Sequence, residues 1–242
     1  MTARLIWTDR SVKVWELNGS GDEARIEAML ELYARSFPQY AHYVPRMRQR
    51  AKFGEEHRLG HIVHYWLVEV DNQPAALRTF RYIRSRNCGI AIALAVDPTF
   101  REVLVNGHRL SMFLVHACLD QVIADAEQLG DPPVLGMVSE VEFPRLMEHY
   151  QRNGIIKLPI RYLEPIFPPR LKDNELVFAD EPAPIQFMPT SLGFLPNPKL
   201  DGHVYDIKNV ADFALAFLVD HYGLPVNHPQ VQAVLNSIQV IS

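Results

Sequence analysis

The run Gly89-Ile90-Ala91-Ile92-Ala93-Leu94-Ala95-Val96, continued by Asp97-Pro98-Thr99-Phe100-Arg101 and then by Gly107-His108-Arg109-Leu110, decides how this chain is read. Residues 89–96 carry no charge, which predicts a central strand covered on both faces. Asp97-Pro98 ends it, because proline has no amide hydrogen to continue a ladder. Beyond the loop, Gly107 is expected to open a helix reaching about Gln128. Its stripe of Leu110, Phe113, Leu114, Ala117, Cys118 and Val122 is widened by Met112, Val115, Leu119 and Ile123. Only Arg109, His116, Asp120 and Glu127 mark a solvated face, so this helix must be largely buried against the sheet.

Toward the N-terminus, Tyr65–Val70 and Pro74–Ile83 flank Asp71-Asn-Gln and predict a hairpin. Before it, Val12-Lys-Val-Trp-Glu-Leu17 alternates as a strand. Ser20 with Glu23 forms a capping-box pattern ahead of a helix on which Ile26, Met29, Leu30, Tyr33 and Phe37 share one face and which Pro38 stops. A more polar helix follows over about 39–57. Toward the C-terminus, Pro133–Ser139 predicts a strand, Pro144–Gln151 a helix closed at Gly154, and Ile155–Phe167 a strand interrupted at Pro159. From Pro165 to Pro198 the prolines are dense and predict extended chain over the surface. Two amphipathic helices end the sequence, 208–222 and 228–239, the second with Pro229 in its first turn. No internal repeat is present.

Composition narrows the class. Of the 242 residues, 48% are hydrophobic and 21% charged, the profile of a globular chain. A net charge of −4 lacks the basic excess that phosphate backbones demand, so nucleic acid is not the expected partner. Cys88 and Cys118 lie far apart and outside any CxxC pattern; one bridge is arithmetically possible, but two apolar-flanked cysteines suit buried thiols in a reducing compartment. The first residues have no apolar signal-peptide core, and the run 89–96 is far short of the ~20 residues that span a bilayer. The expectation is a soluble, cytoplasmic protein with no membrane partner.

The predicted order is strand, helix, helix, hairpin, buried strand, loop, long helix, strand, short helix, strand. Within it, Leu94-Ala-Val96-Asp-Pro98-Thr-Phe100-Arg101 with Gly107-His-Arg-Leu110 resembles the acyl-CoA-binding motif of the GNAT acyltransferase superfamily. That motif is a strand ending in Val-x-Pro-x-(Tyr/Phe)-Arg, then a glycine-rich loop at a helix N-terminus. Glu148-His-Tyr150-Gln-Arg-Asn-Gly154-Ile155 is similar to the superfamily's segment in which a tyrosine precedes a glycine by four. The resemblance covers roughly residues 12–167 and implies an α/β fold of the α+β type. Its central sheet would be mixed and mostly antiparallel, with helices on both faces. The expected organisation is an acyltransferase domain over 1–180, then a Pro-rich segment and two helices over 181–242. Those helices would dock on the domain or, in a homodimer, on a partner subunit, because so few residues bury too little core alone.

The implied function is an N-acyltransferase, in the first place an acetyltransferase, moving an acyl group from acetyl-CoA or another acyl-CoA to an amine by direct attack. The amine would belong to a small molecule or a peptide. The thioester would lie in a cleft between Gly89–Val96 and Val134–Val138, its carbonyl polarised by backbone amides near Leu94, Ala95 and Val96. A helix N-terminus leaves amide N–H groups unpaired and carries positive partial charge, so the loop around Asn106, Gly107, His108 and Arg109 would cradle the pyrophosphate, with Arg101 adding charge. The resemblance assigns Tyr150 the role of general acid toward the departing thiolate. For the base, Glu140 and Glu142 at the end of the following strand are the nearest carboxylates; His108 and a water relay are the alternatives. Residues 37–57, with Tyr40, Tyr43 and the basic Arg46–Lys52, would line the acceptor side.

The sequence also departs from the motif. Its loop is about one residue longer and has lost the earlier glycines, Glu102 puts negative charge there, and Phe143 stands where the family often has asparagine. The run 89–96 holds no carboxylate. These departures favour the alternative of a catalytically degenerate module that binds an acyl-thioester or a protein. No metal is expected: His57, His61 and His64 show histidine spacing, but Gly60 ends any helix there and no HExxH pattern supports a site.

Overall fold

The computed structural model describes residues 2–54, 60–167, 170–172, 175–177, 185–200 and 206–238. Its strands are β1 (Arg4–Asp9), β2 (Val12–Glu16), β3 (Ile62–Val70), β4 (Gln73–Ile83), β5 (Cys88–Val96), β6 (Leu104–Val105), β7 (His108–Arg109), β8 (Gly136–Val141), β9 (Ile156–Lys157), β10 (Tyr162–Ile166), β11 (Arg170–Lys172), β12 (Glu175–Val177) and β13 (Gln186–Pro196). The helices are α1 (Glu23–Ser36), α2 (Val44–Phe53), α3 (Leu110–Leu129), α4 (Pro144–Gln151), α5 (Ile207–Leu215) and α6 (Pro229–Asn236). Strands of the main sheet follow the order β1-β2-β3-β4-β5-β8-β13-β10, with β9 beside β13. The β5–β8 pair is parallel, while β1–β2, β2–β3, β8–β13 and β13–β10 are antiparallel. The fold is therefore the mixed, mostly antiparallel α/β class expected. Two compact units divide the chain: Met1–Arg81 with Ile92–Cys118 and Pro169–Glu181, and Tyr82–Ala91 with Leu119–Pro168 and Pro182–Ser242.

In the first unit, Ile26, Met29, Leu30 and Tyr33 of α1 bury against Leu17, just past β2, and against Leu67, Leu77 and Ala93 of the sheet. The helix is capped by Asp22, which accepts the Arg25 amide, and not by Ser20, whose hydroxyl accepts the Asp22 amide instead. The basic face of α2 is spent on α1: Arg48 pairs with Glu27 at 2.6 Å and Lys52 with Glu23. A strand preceding Val12 was not foreseen; β1 is there, and its Trp7 packs on Phe113 of α3 with ring centroids 4.6 Å apart.

Gly107 does not open α3. Residues 104–109 fold as the small hairpin β6–β7, with Asn106 and Gly107 at φ +49° and +80° in the two-residue turn. Asn-Gly is the pair that tolerates such a left-handed turn, and that local preference outweighs helix initiation. The helix begins at Leu110, whose amide donates to the Val103 carbonyl at 2.9 Å.

In the second unit, the proline-dense stretch is not surface wrapping where the structure describes it. Gln186–Pro196 is β13, inserted between β8 and β10, with Pro189 opposite Leu163 and Pro196 closing the strand opposite Gly136. A boundary at residue 180 would therefore separate two paired strands. Gly136 is required by close approach, since a Cβ there would lie 2.3 Å from the Leu195 carbonyl oxygen. Met147 of α4 and Ile155 cover the face of β13 that carries Gly193. The opposite face, with Val138, Leu192, Phe194 and Tyr162, is covered by Phe213 and Phe217 of the C-terminal helices and by Val231 and Val234 of α6. Arg86, just before β5, anchors that cover by pairing with Asp212 and Asp220, each at 2.9 Å. Cys88 and Cys118 are both buried free thiols. Among the described residues, no helix is long and apolar enough to cross a membrane.

Candidate active site

Side chains alternate along β8, so Val138 and Glu140 face the C-terminal helices while Ser139 and Val141 face α4. Glu140 stands one residue past Ala91↔Ser139, the last pair of the β5–β8 ladder. Its half-buried carboxylate accepts two phenolic hydrogen bonds: Tyr162 donates to Oε1 at 2.5 Å and Tyr222 to Oε2 at 2.7 Å. Tyr162 lies on β10, held over the cluster by the register that sets it opposite Thr190. Tyr222 follows α5 at the end of a π-helical segment, Ala216–His221. Its amide donates to the Phe217 carbonyl five residues back, the wider turn that π-segments use and that recurs at functional sites.

A second carboxyl completes the group. Glu164, two residues after Tyr162 on β10, is 7% exposed and accepts the Thr190 hydroxyl at 3.1 Å. Burial raises the Glu140 carboxyl well above the ordinary range, and the charges of Glu164 and Glu142 push the same way against the two phenols. Burial together with the Glu142 charge pushes Glu164 up to about 7, while hydrogen bonds from Thr190 and Tyr222 oppose the shift. Both phenols are driven up by burial and by the Glu140 charge. Carboxyls with raised proton affinity beside phenols suit acid–base chemistry.

The other expected site residues are distributed as follows. Glu142, just beyond β8, is half-buried and contributes charge to both glutamates. Tyr150 is half-buried at the C-terminal end of α4, on the face of β8 opposite Glu140. Its carbonyl accepts the amides of Asn153 and Ile155, so the Gly154 segment closes the helix as the sequence suggested. Leu94 and Val96 on β5 are half-buried and Ala95 is buried. Arg101, Asn106, Gly107, His108 and Arg109 are all exposed. The β6–β7 pairing occupies backbone groups of Val105 and His108 that the sequence reading had left for a pyrophosphate, and Arg109 pairs with Glu102 at 2.9 Å. His57 lies outside the described residues. His61 and His64 are buried in the first unit, and no group of three metal-ligating side chains occurs among the described residues.

Sequence reasoning named Glu140 as a candidate and did not bring Tyr162, Glu164 or Tyr222 to it. A signal for the first two was present in Tyr162-Leu163-Glu164, where both polar residues fall on one face of a predicted strand. Nothing local marks Tyr222, which reads as the end of an amphipathic helix.

No protein-family model matches the sequence, and no curated protein matches it. Solved structures of acetyltransferases are among those the chain is similar to. GCN5 from Tetrahymena is 11% identical, with 81% of this chain and 100% of that one covered at a TM-score of 0.46. PaiA N-acetyltransferase from Thermoplasma acidophilum, in complex with coenzyme A, is 12% identical, with 62% and 92% covered at 0.42. An acetyltransferase of the GNAT family from Staphylococcus aureus is 13% identical, with 76% and 99% covered at 0.42.

Proposed function

We propose that this chain is an N-acyltransferase that moves an acyl group, in the first place acetyl, from acyl-CoA to an amine by direct attack. The observation that carries the reading is Glu140, a carboxylate held by two phenols just past the end of the β5–β8 ladder, with its proton affinity raised by burial. Glu140 takes the proton from the attacking amine, and Glu142 supplies negative charge that favours a cationic approach. Tyr150, on the other face of β8, protonates the thiolate as it leaves. The strand end Leu94–Val96 and the loop from Arg101 to Arg109 hold the CoA moiety, as the motif resemblance implies. The acceptor is a small-molecule or peptide amine.

The test is thiol release from acetyl-CoA with a panel of amines, comparing the native chain with Glu140→Gln. Amine-dependent release that the substitution abolishes supports the reading; equal release by both removes Glu140 from the chemistry. A second reading, a module that binds an acyl-thioester without transferring it, draws on the β6–β7 hairpin, which takes up amides at the expected phosphate loop. It predicts that acetyl-CoA raises the melting temperature while no amine elicits thiol.

A further inference from the structure

One charge in the first unit lacks its counter-charge. Leu77 of β4 packs under α1, so Arg78, the next residue, takes the opposite face of the strand. It is 4% exposed, and its Nη2 donates to the Cys118 sulfur of α3 at 3.3 Å. A thiol is a weak acceptor, and this one itself donates to the Val115 carbonyl at 3.2 Å. The Arg78 Nε is buried without a hydrogen-bond partner, and among the described residues no carboxylate pairs with the guanidinium. The buried carboxylates of this unit are committed elsewhere: Glu16 to His64, Trp66 and two amides, Glu69 to Trp15 and Arg25. A guanidinium withdrawn from water is costly unless an anion faces it, so this side chain points to an anionic ligand.

The strand beside it shows which ligand. Residues 84–87 alone join β4 to β5, too short a link for a crossover, so the two strands run antiparallel. The Asp97 amide donates to the Ala75 carbonyl at 2.8 Å, and counting inward from that bond sets Arg78 across from Leu94. The sides agree. Ala93 and Ala95 share the α1 side with Leu77, which leaves Leu94 and Val96 on the face of Arg78. Leu94 and Val96 are half-buried, and Ile92 is 38% exposed. A partly open apolar strip thus runs beside a buried cation, and it includes the strand end that the proposed function gives to acyl-CoA.

We propose that Arg78 binds a carboxylate at the far end of the transferred acyl group, so that the donor is the CoA monothioester of a short dicarboxylic acid. The proposal rests on the acyl-transfer reading and narrows its acyl group. Paired strands lie about 4.8 Å apart, a span that two or three methylenes cover between a thioester carbon and a terminal carboxylate. A succinyl group has that length, and an acetyl group ends short of it. The orphaned Nε and a neighbouring terminal nitrogen offer a carboxylate the paired contact that a guanidinium makes best. In the transfer, the amine nitrogen bonds the thioester carbon, the C–S bond breaks, and the carboxylate passes unchanged into the amide product. The amine loses one proton and the departing thiolate gains one. Glu140 passes its proton to water, and Tyr150 recovers one from water.

The test is calorimetric binding of succinyl-CoA and of its uncharged isostere, isocaproyl-CoA, to the native chain and to Arg78→Met. The native chain should prefer succinyl-CoA by roughly 10- to 100-fold. Arg78→Met removes the charge and should lose that preference, while the melting temperature holds or rises because an uncompensated buried charge is gone. Arg78→Lys keeps the charge without the fork and should shrink the preference by roughly 3- to 10-fold, which covers the case of a methionine variant that does not fold. Equal binding of the two thioesters to the native chain, or a preference untouched by either substitution, overturns the proposal. Free succinate and chloride form a further arm, and both should bind far more weakly than succinyl-CoA. Either one binding as tightly would make Arg78 the seat of a structural ion and overturn the proposal too. Calorimetry needs no turnover, so the two readings fail separately. Absence of thiol release with every donor and amine overturns acyl transfer, whereas acyl-CoAs that bind without the preference overturn the role of Arg78 alone.

Discussion

Each unit of the molecule keeps a glutamate among aromatic residues on a strand, and the two are held in opposite ways. In the first unit, Glu16 Oε2 faces His64 Nδ1 at 2.5 Å and accepts the Trp66 indole N–H at 3.1 Å. Its Oε1 accepts the amides of Asn18 and Tyr65 at 2.9 and 3.1 Å. His64 in turn stacks on Phe80, with ring centroids 4.5 Å apart. Every donor there is an N–H group fixed by a strand, the turn after β2 or a packed ring, so the carboxylate is saturated. In the second unit, Glu140 has only two phenols, and its further neighbours are carboxyls. Burial is common to both. What differs is whether the surroundings satisfy the charge or leave it competing for a proton, and only the second arrangement suits acid–base chemistry.

That contrast predicts different responses to substitution. The largest effect should come from Glu140→Gln, which keeps shape and removes the base. Turnover should fall roughly 100- to 10,000-fold with little change in KM for acyl-CoA. The same substitution should raise the melting temperature at pH 8, because it deletes a poorly compensated buried charge. A fall in both activity and stability would mean that Glu140 is structural like Glu16, and the contrast would collapse.

Glu16→Ala is the complementary experiment. It strands an imidazole, an indole N–H and two amides, and should cost about 3 kcal/mol in denaturant unfolding. A loss under about 1 kcal/mol would show that water replaces the carboxylate and that the site is not closed.

Tyr150→Phe keeps the ring and deletes its hydroxyl. If the hydroxyl protonates the thiolate, turnover drops by roughly 10- to 1000-fold while the acyl-donor KM holds. The loss should shrink with a donor whose thiol has a lower pKa. Full turnover in the variant would make Tyr150 a packing residue and leave Glu140 as the sole acid–base group.

Stability against pH should separate the units more gently. In the folded state the Glu164 carboxyl lies at about 7, above its ordinary 4.5. A raised carboxyl stabilises the fold fully below its unfolded value, and the contribution is lost as pH rises through the folded value. Melting temperature should therefore decline between about pH 5 and 8, and Glu164→Gln should flatten that decline. An identical slope in the variant would assign the dependence elsewhere.

The smallest effect is expected at Gly107. A Cβ there meets nothing within 4 Å, so Gly107→Val is penalised only by its φ of +80°. A modest cost of about 1–2 kcal/mol should follow, with weaker acyl-CoA binding by calorimetry if the hairpin borders the phosphates. Unchanged affinity would remove this loop from the cofactor site.

The sequence alone determined what depends on local periodicity and local breakers. The uncharged run at 89–96, the helix Pro144–Gln151 and the C-terminal amphipathic helices were all legible, because each needs only its own residues to declare which face is apolar. Glu140 was legible as a carboxylate at a strand end. Tertiary structure alone decided what that carboxylate meets. Tyr162 reaches it across 22 residues and Tyr222 across 82, and no local pattern encodes such a meeting. The same holds for Gln186–Pro196, whose prolines argued against a strand until β8 and β10 supplied partners on both sides. Partners far along the chain, not local preference, satisfy those backbone groups. The same long-range pairing brings Glu164 and Tyr222 to Glu140, because a buried charge is tuned by whatever the fold places beside it.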